Sequence, residues 1–353
     1  MATIRRPRKG SLQYWPRKRA TKFLPSVNWD FIKSGNNLKG FICYKAGMAS
    51  AYVKDNTPNS MTKGKNIAIP VTILECPTMK ILSIRFYKNG QVRKEILAEN
   101  LEKELNRIIK MPKKKAGKIE DIKAEDYDDV RVIFYSQVKK TNIKKTPDLT
   151  EMGLAGDLQG KINFIKENLN KEISVLDVFK AGQLVDLRGL TRGKGLQGPM
   201  RRFGIGLKSH KSEKGRRNPG SLGPWHPARV TFHTPQAGQL GMFTRVVYNN
   251  KIIDLGKSSD KRKKFNNLKN FGDIKTDYAL VFGSVQGTVK RQLLMTLPLR
   301  ETKGQVKKSY ELVEIRWKLI KDFHSFEIDM EIISNESKNI RHKRERKRKH
   351  WIA

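Results

Sequence analysis

Apolar and polar positions follow each other along this chain in short runs, most of them too short for helices and separated by Gly, Pro and Asn. "GFICYKAGMASAYV" (40–53) and "NIAIPVTILECP" (66–77) are rich in β-branched and aromatic residues between breakers and predict strands. "ILSIRFYKNG" (81–90) alternates and ends at Asn89-Gly90, a turn signal. The period then changes. "EILAENLEKELNRIIKMP" (95–112) sets Ile96, Leu97, Leu101, Leu105, Ile108 and Ile109 at helical spacing ahead of Pro112, which predicts a helix. "DDVRVIFYSQVKKT" (128–141) predicts a strand, and "GKINFIKENLN" followed by "SVLDVFK" predicts one or two short helices. Strands resume with "GQLVDLRGL" (182–190), "ARVTFHT" (228–234), "FTRVVYNNKIIDLG" (243–256), "DYALVFGSVQG" (277–287) and "RQLLMTLP" (291–298). "SYELVEIRW" and "SFEIDMEII" add two more near the C-terminus.

Many short strands at near-regular spacing predict a mainly β chain built on a closed β-barrel, formed by residues 36–90 and 179–335. Residues 91–178 read as an α/β insertion of nearly balanced charge. A basic N-terminal extension (1–35), a long basic loop leaving the barrel (190–230) and a basic tail (336–353) complete the plan. There is no internal repeat.

Charge changes this picture most. The 353 residues carry 73 Lys and Arg against 34 Asp and Glu, a net of +39, and about two-thirds of that surplus sits in roughly a quarter of the chain. Residues 1–25 hold eight basic residues and no acid, 338–350 hold eight and one acid, and 187–245 hold twelve and only Glu213. Such a surplus repels itself, so the native state is expected to include a polyanion, with nucleic acid ahead of an anionic membrane. No apolar run reaches the roughly 18 residues of a membrane span, and the N-terminus lacks the apolar core of a secretory signal. Cys43 and Cys76 are too few for a disulfide framework or a four-ligand zinc site, which fits a reducing cytosol.

The 187–245 stretch also holds eleven of the 27 glycines, so it cannot repay its ordering entropy by burying itself. It is expected as an extended loop that orders against an anion, with Phe203, Trp225, Phe232 and Phe243 available for stacking or packing. A merely solvated charged loop is the plainer alternative. Enzyme chemistry finds little support. "GKGLQG" (193–198) matches a dinucleotide-binding pattern formally, but Pro199 and two further glycines follow where a helix should begin, and no acid lies about twenty residues on. His226 and His233 lack metal-ligand spacing, and no acid between 214 and 253 could orient a Ser221–His226 pair. The acidic "EDIKAEDYDD" (120–129) lacks the ligand spacing of a calcium loop and reads as a solvated face. Neither catalytic residues nor a cofactor, metal or small-molecule substrate are expected.

Three stretches carry a resemblance: "LRGLTRGKGLQGPMRRFGIG", "PGSLGPWHPARVTFHTPQAGQLGMFTRVVYNNKI" and "ALVFGSVQGTVKRQLLMTLPLR". Together with the basic "RRPRKGSLQYWPRKRA" they resemble the universal large-subunit ribosomal protein three family, in its archaeal/eukaryotic branch. The resemblance implies a translation-protein type barrel with extensions driven into rRNA, binding near the 3′ end of the large-subunit rRNA. It also implies a role in nucleating assembly and a finger reaching toward the peptidyl-transferase region. Carried onto this chain, Trp225 becomes the finger tip, with His226 and Arg229 beside it. Arg192, Lys194, Arg201, Arg202, Lys208, His210, Arg216 and Arg217 line the approach, and Arg5, Arg6, Arg17, Lys18 and Arg19 bind rRNA from the N-terminal extension. His210 is the nearest counterpart of a modified histidine in eukaryotic members, but its interval to Trp225 is longer, so the modification is not carried over. Prolines on either side of Trp225 stiffen the backbone that presents the indole, and glycines let the loop follow RNA grooves. The implied partners are large-subunit rRNA and neighbouring ribosomal proteins, with the chain a monomer in the cytoplasmic ribosome. An RNA-modifying enzyme with basic capture arms is the rival function, and a free-standing DNA-binding protein would need a reading helix that the glycine-rich basic region lacks.

Overall fold

The computed structural model describes residues 9–11, 13–35, 37–112, 126–258 and 265–316. The expected strand "SFEIDMEII", the tail 336–353, and Arg5 and Arg6 lie outside the described residues. In chain order the strands are β1 (Gly40–Asp55), β2 (Asn66–Cys76), β3 (Met79–Lys88), β4 (Gln91–Leu97), β5 (Asp129–Ser136) and β6 (Leu149–Gly153). Helices α1 (Leu158–Asn168) and α2 (Val175–Val178) follow, then β7 (Leu184–Leu190), β8 (Leu196–Gln197), the short α3 (Pro199–Phe203) and β9 (Gly238–Gln239). The chain continues through β10 (Thr244–Gly256), β11 (Asp277–Phe282), β12 (Gln292–Thr296), α4 (Lys303–Val306) and β13 (Tyr310–Arg316).

Seven strands form one antiparallel sheet in the order β12-β7-β10-β11-β2-β1-β13, and β1 also pairs with β12, so the hydrogen-bonded order returns on itself. The sixteen residues of β1 make this possible. Gly40–Tyr44 pair with β12, Ser50–Asp55 pair with β13 on the same edge, and β2 runs along the other edge. A register shift between Lys45 and Gly47 bends the strand between its two partners. A second sheet, β4-β3-β5-β6, packs against the first. β3, expected among the barrel strands, hydrogen-bonds in this smaller sheet.

One apolar cluster joins the two sheets: Phe41, Ile42 and Leu74 of the large sheet with Ile84, Phe86, Val132 and Phe134 of the small one. A second cluster, including Val53, Val71, Ile73, Tyr278 and Leu280, fills the far end of the large sheet. Trp29 belongs to the first cluster and is almost fully buried. Residues 24–32, counted with the basic extension by charge, thus anchor in the core through Leu24, Trp29 and Ile32.

Two element expectations are corrected. Residues 95–112 form no α-helix. Asn89 and Gly90 both take positive φ and return the chain directly alongside β3, so Gln91–Leu97 are captured as β4. Ile96 then packs between the sheets, and only a 3-10 turn over Lys103–Arg107 remains, burying Leu105 elsewhere. "ARVTFHT" (228–234) forms no strand, since no described strand lies alongside it, and its residues are mostly exposed.

Glu75 is buried in the wall of the large sheet, opposite Tyr44 and Tyr278. Its Oε1 accepts from the Lys275 and Thr276 amides (2.8 and 3.1 Å) and the Thr276 hydroxyl (3.2 Å), while Oε2 has no partner among the described residues. Burial outweighs those donors and raises its pKa above the ordinary carboxylate value. A native group that holds its proton more tightly contributes stability that is complete below the ordinary carboxylate pKa and is lost as pH rises through the raised value. Glu75→Gln keeps the acceptor and removes the charge. Its melting temperature should therefore gain on that of the parent chain as pH rises from 4 to 7.5, and parallel profiles would refute the assignment.

Gly153 sits against the same tryptophan: a Cβ there would lie 2.7 Å from Cβ of Trp29, leaving no room. Gly153→Ala should cost about 1–3 kcal/mol in a denaturant titration, by forcing Trp29 out of its place.

Candidate nucleic-acid interface

The basic stretch leaves the large sheet at the end of β7 and returns at the start of β10, and these two strands are themselves paired, Thr244 opposite Leu190. The ladder continues outward. The Thr191 amide donates to the Phe243 carbonyl (3.0 Å), Lys194 to Leu240 and Leu240 to Gly195 (2.9 Å each), and β8 pairs with β9. Gly241 enables the close approach of the two arms: its φ is +80°, and a Cβ would stand 2.1 Å from the Arg192 carbonyl oxygen. A helix does begin after Gly198, contrary to expectation, because Pro199 has the φ of a first helical position. It ends after five residues at Gly204, and its antiparallel surroundings are not those of a dinucleotide fold.

Arg202 and Arg17 lock this base. Nε, Nη1 and Nη2 of Arg202 donate to the carbonyls of Gln239, Gln236 and Arg17, all at 3.1 Å. Arg17 answers with Nη1 to the Arg202 carbonyl (3.4 Å) and Nη2 to those of Lys9 and Ser11 (3.3 and 2.8 Å). Rings complete the lock. Trp15 stacks on buried Phe203 (5.9 Å, 18° between planes) and meets Phe232 and His233 edge-on at 5.8 and 5.4 Å. The Arg17 guanidinium lies 4.2 Å from the Phe203 ring centroid. The N-terminal segment thereby grips the outgoing and the returning arm together. Burial lowers the pKa of Arg202 from the ordinary guanidinium value, although it remains a cation.

Beyond the lock, residues 206–237 have no regular structure and are largely exposed. The Lys208 amide donates to the Arg216 carbonyl (3.2 Å), and Thr234 Oγ1 to the Leu222 carbonyl (3.0 Å), closing the segment between them into its own loop. Trp225, 87% exposed, lies within that closed segment with His226 and Arg229, and does not pack on either sheet. Arg192, Lys194, Arg201, Arg216, Arg217, Lys18, Arg19 and His210 are exposed as well, and Lys208 is half-buried. Ser221 Oγ is used in a local turn to the Gly223 carbonyl (3.2 Å), and no group of three metal-ligating side chains occurs among the described residues. No described helix is long and apolar enough to cross a membrane.

Of the residues expected at a nucleic-acid surface, the structure brings Arg17 and Arg202 together and leaves Trp225 and most of the other cations open to solvent. The role of Trp15 as the ring under the lock went unread in the sequence. Its one signal is "YWP" within a run of cations, an aromatic pair where charge alone would suffice.

Residues 1–327 match the family model described as ribosomal protein L3. The chain belongs to the ribosomal protein L3 family. It is 37% identical over 316 residues to the large ribosomal subunit protein uL3 of Methanocaldococcus jannaschii, covering 86% of this chain and 94% of that one. The uL3 of Archaeoglobus fulgidus is 38% identical over 315 residues, with 85% and 93% covered. That of Picrophilus torridus is 38% identical over 317 residues, with 87% and 95% covered. These L3 relatives are archaeal, in line with the branch to which the signature stretches point.

Arg202→Met removes three charge-assisted hydrogen bonds while keeping much of the side-chain bulk. Amide hydrogen exchange at Lys194 and Leu240 should speed up about tenfold or more, with Leu280 unchanged. Equal exchange in both chains would mean that the lock does not hold the base.

Proposed function

We propose that this L3-family chain is a structural constituent of the large ribosomal subunit, acting by binding large-subunit rRNA and not by chemistry of its own. The observation that carries this reading is the loop of residues 190–230, which presents its cations and Trp225 to solvent on a rigidly held base. Arginines and lysines on such a backbone reach phosphates from several sides and release counterions. An exposed indole has no use for a lone protein but stacks on an unpaired base for about 1–3 kcal/mol. Arg17 and Arg202 are assigned to holding the loop, and the exposed Arg192, Lys194, Arg201, Lys18, Arg19, Arg216, Arg217 and Arg229 to phosphates, with Lys208, His210 and His226 beside them. Arg5, Arg6 and the tail add charge to the same task.

The body suits this work. We read the returning strand order β12-β7-β10-β11-β2-β1 as a closed barrel, with residues 91–178 inserted and the extensions reaching outward. In the assembled particle the chain is a monomer in the cytoplasm, contacting rRNA near its 3′ end and neighbouring proteins, nucleating assembly and supporting the peptidyl-transferase region through its finger. The relatives are named as ribosomal proteins, which leaves the RNA-modifying enzyme without support.

Binding of the full chain to an rRNA fragment should weaken steeply with salt. Arg216→Ala with Arg217→Ala should lower the slope of log K against log salt by about 1–2. An unchanged slope removes both residues from the phosphate contacts.

A further inference from the structure

Between the N-terminal segment and the start of β10 lies a hollow of about 720 Å³, lined by residues 10, 11, 14, 16–22, 25 and 26 on one side and by Phe243, Thr244 and Arg245 on the other. It is separate from the exposed tip of the loop. Among the described residues five cations line it, Arg17, Lys18, Arg19, Lys22 and Arg245, and no acid does. Two rings line it as well. Tyr14 is 75% exposed, and Phe243 is half-buried with the Arg245 guanidinium 5.4 Å from its centroid. Arg17 is committed to protein carbonyls and serves as a wall, whereas the side chains of Lys18, Arg19 and Lys22 are exposed and make no hydrogen bond or ion pair with described residues.

We propose that this hollow is a subsite for an unpaired nucleotide of RNA, with its base against Tyr14 and Phe243 and its phosphates on Arg19, Lys22 and Arg245. The proposal rests on the rRNA-binding function and names the form of RNA that this part of the surface takes. A duplex keeps its base faces stacked inside and offers a concave site only sugars and phosphates, which would leave both rings unused. A single-stranded segment offers a base face for the rings and flanking phosphates for the cations at once. The volume lies within the range of sites that enclose a small ligand, which suits one nucleotide and its neighbours' phosphates.

The test uses the full chain and a short single-stranded RNA carrying one 4-thiouridine, beside the same strand annealed to its complement. The single strand is expected to bind about tenfold more tightly than the duplex, and its photo-crosslink should map to the peptides containing Tyr14 or Phe243. Tyr14→Ala, at an exposed position, should weaken the single strand about tenfold and leave duplex binding unchanged. Arg19→Ala with Lys22→Ala should weaken it further and reduce its salt dependence. Crosslinks confined to residues 204–237, or single-strand affinity indifferent to Tyr14→Ala, would overturn the subsite while leaving the rRNA-binding function intact. Failure to bind either RNA in moderate salt would overturn both.

Discussion

A chain with a net charge of +39 must either give its cations anions or hold them apart, and this one does each in a different place. Apart from Arg316–Glu314 on β13, the ion pairs among its described residues gather on and around the small sheet. Arg85 meets Glu95 and Glu151, Arg131 meets Asp30 and Asp129, Lys161 meets Asp129, and Lys80 and Lys140 share Glu172. With the acids spent there, the stretch from 187 to 245 has only Glu213, and none of its cations is in an ion pair with a described residue. A loop so composed cannot collapse on itself, because bringing the cations together without counter-charge is unfavourable. It stays open until something anionic arrives.

Holding an open loop in one place then calls for contacts that do not rely on acids. Arg202 and Arg17 use backbone carbonyls as acceptors, and Trp15 and Phe203 use ring faces, to which a guanidinium adds a favourable electrostatic contact. The planar fork matters, since it serves the three carbonyls from three separate nitrogens in a fixed plane, where a lysine would have to serve all three from one. Rigidity at the base and exposure at the tip are thus two sides of one arrangement. The partner meets a loop whose anchoring cost has been met by the protein, so more of the contact energy is left for binding.

The small sheet illustrates why charge balance and burial go together. Its inner face shares Ile84, Phe86, Val132 and Phe134 with the large sheet, so the insertion and the body have one core. The opposite face carries Arg85, Glu95 and Glu151 in paired array, a surface with little net field for a polyanion. Segregation of charge along the chain therefore becomes segregation across the molecule.

The strands around residues 40–90, 182–190 and 243–298 were legible from short β-branched and aromatic runs between breakers, and the turn at Asn89-Gly90 from its residues, because those signals are local and the backbone obeys them locally. The lack of regular structure over residues 206–237 was legible from composition, since glycine and like charge forbid a core, whereas Trp225 as the tip came only with the family resemblance. The helix expected over 95–112 failed at its start, because the tight turn at Asn89-Gly90 sets Gln91–Leu97 alongside β3 and leaves only a 3-10 turn over Lys103–Arg107. The strand expected over 228–234 failed for the opposite reason, having no edge to join. Only the tertiary structure decided that β3 pairs in the small sheet, that Trp29 is core and Trp15 a clamp, and that Arg17 and Arg202 lock the base of the loop. Pattern determines which residues can leave water; which partner each one meets depends on segments brought together across long stretches of chain, 185 residues for Arg17 and Arg202, and no local signal encodes that meeting.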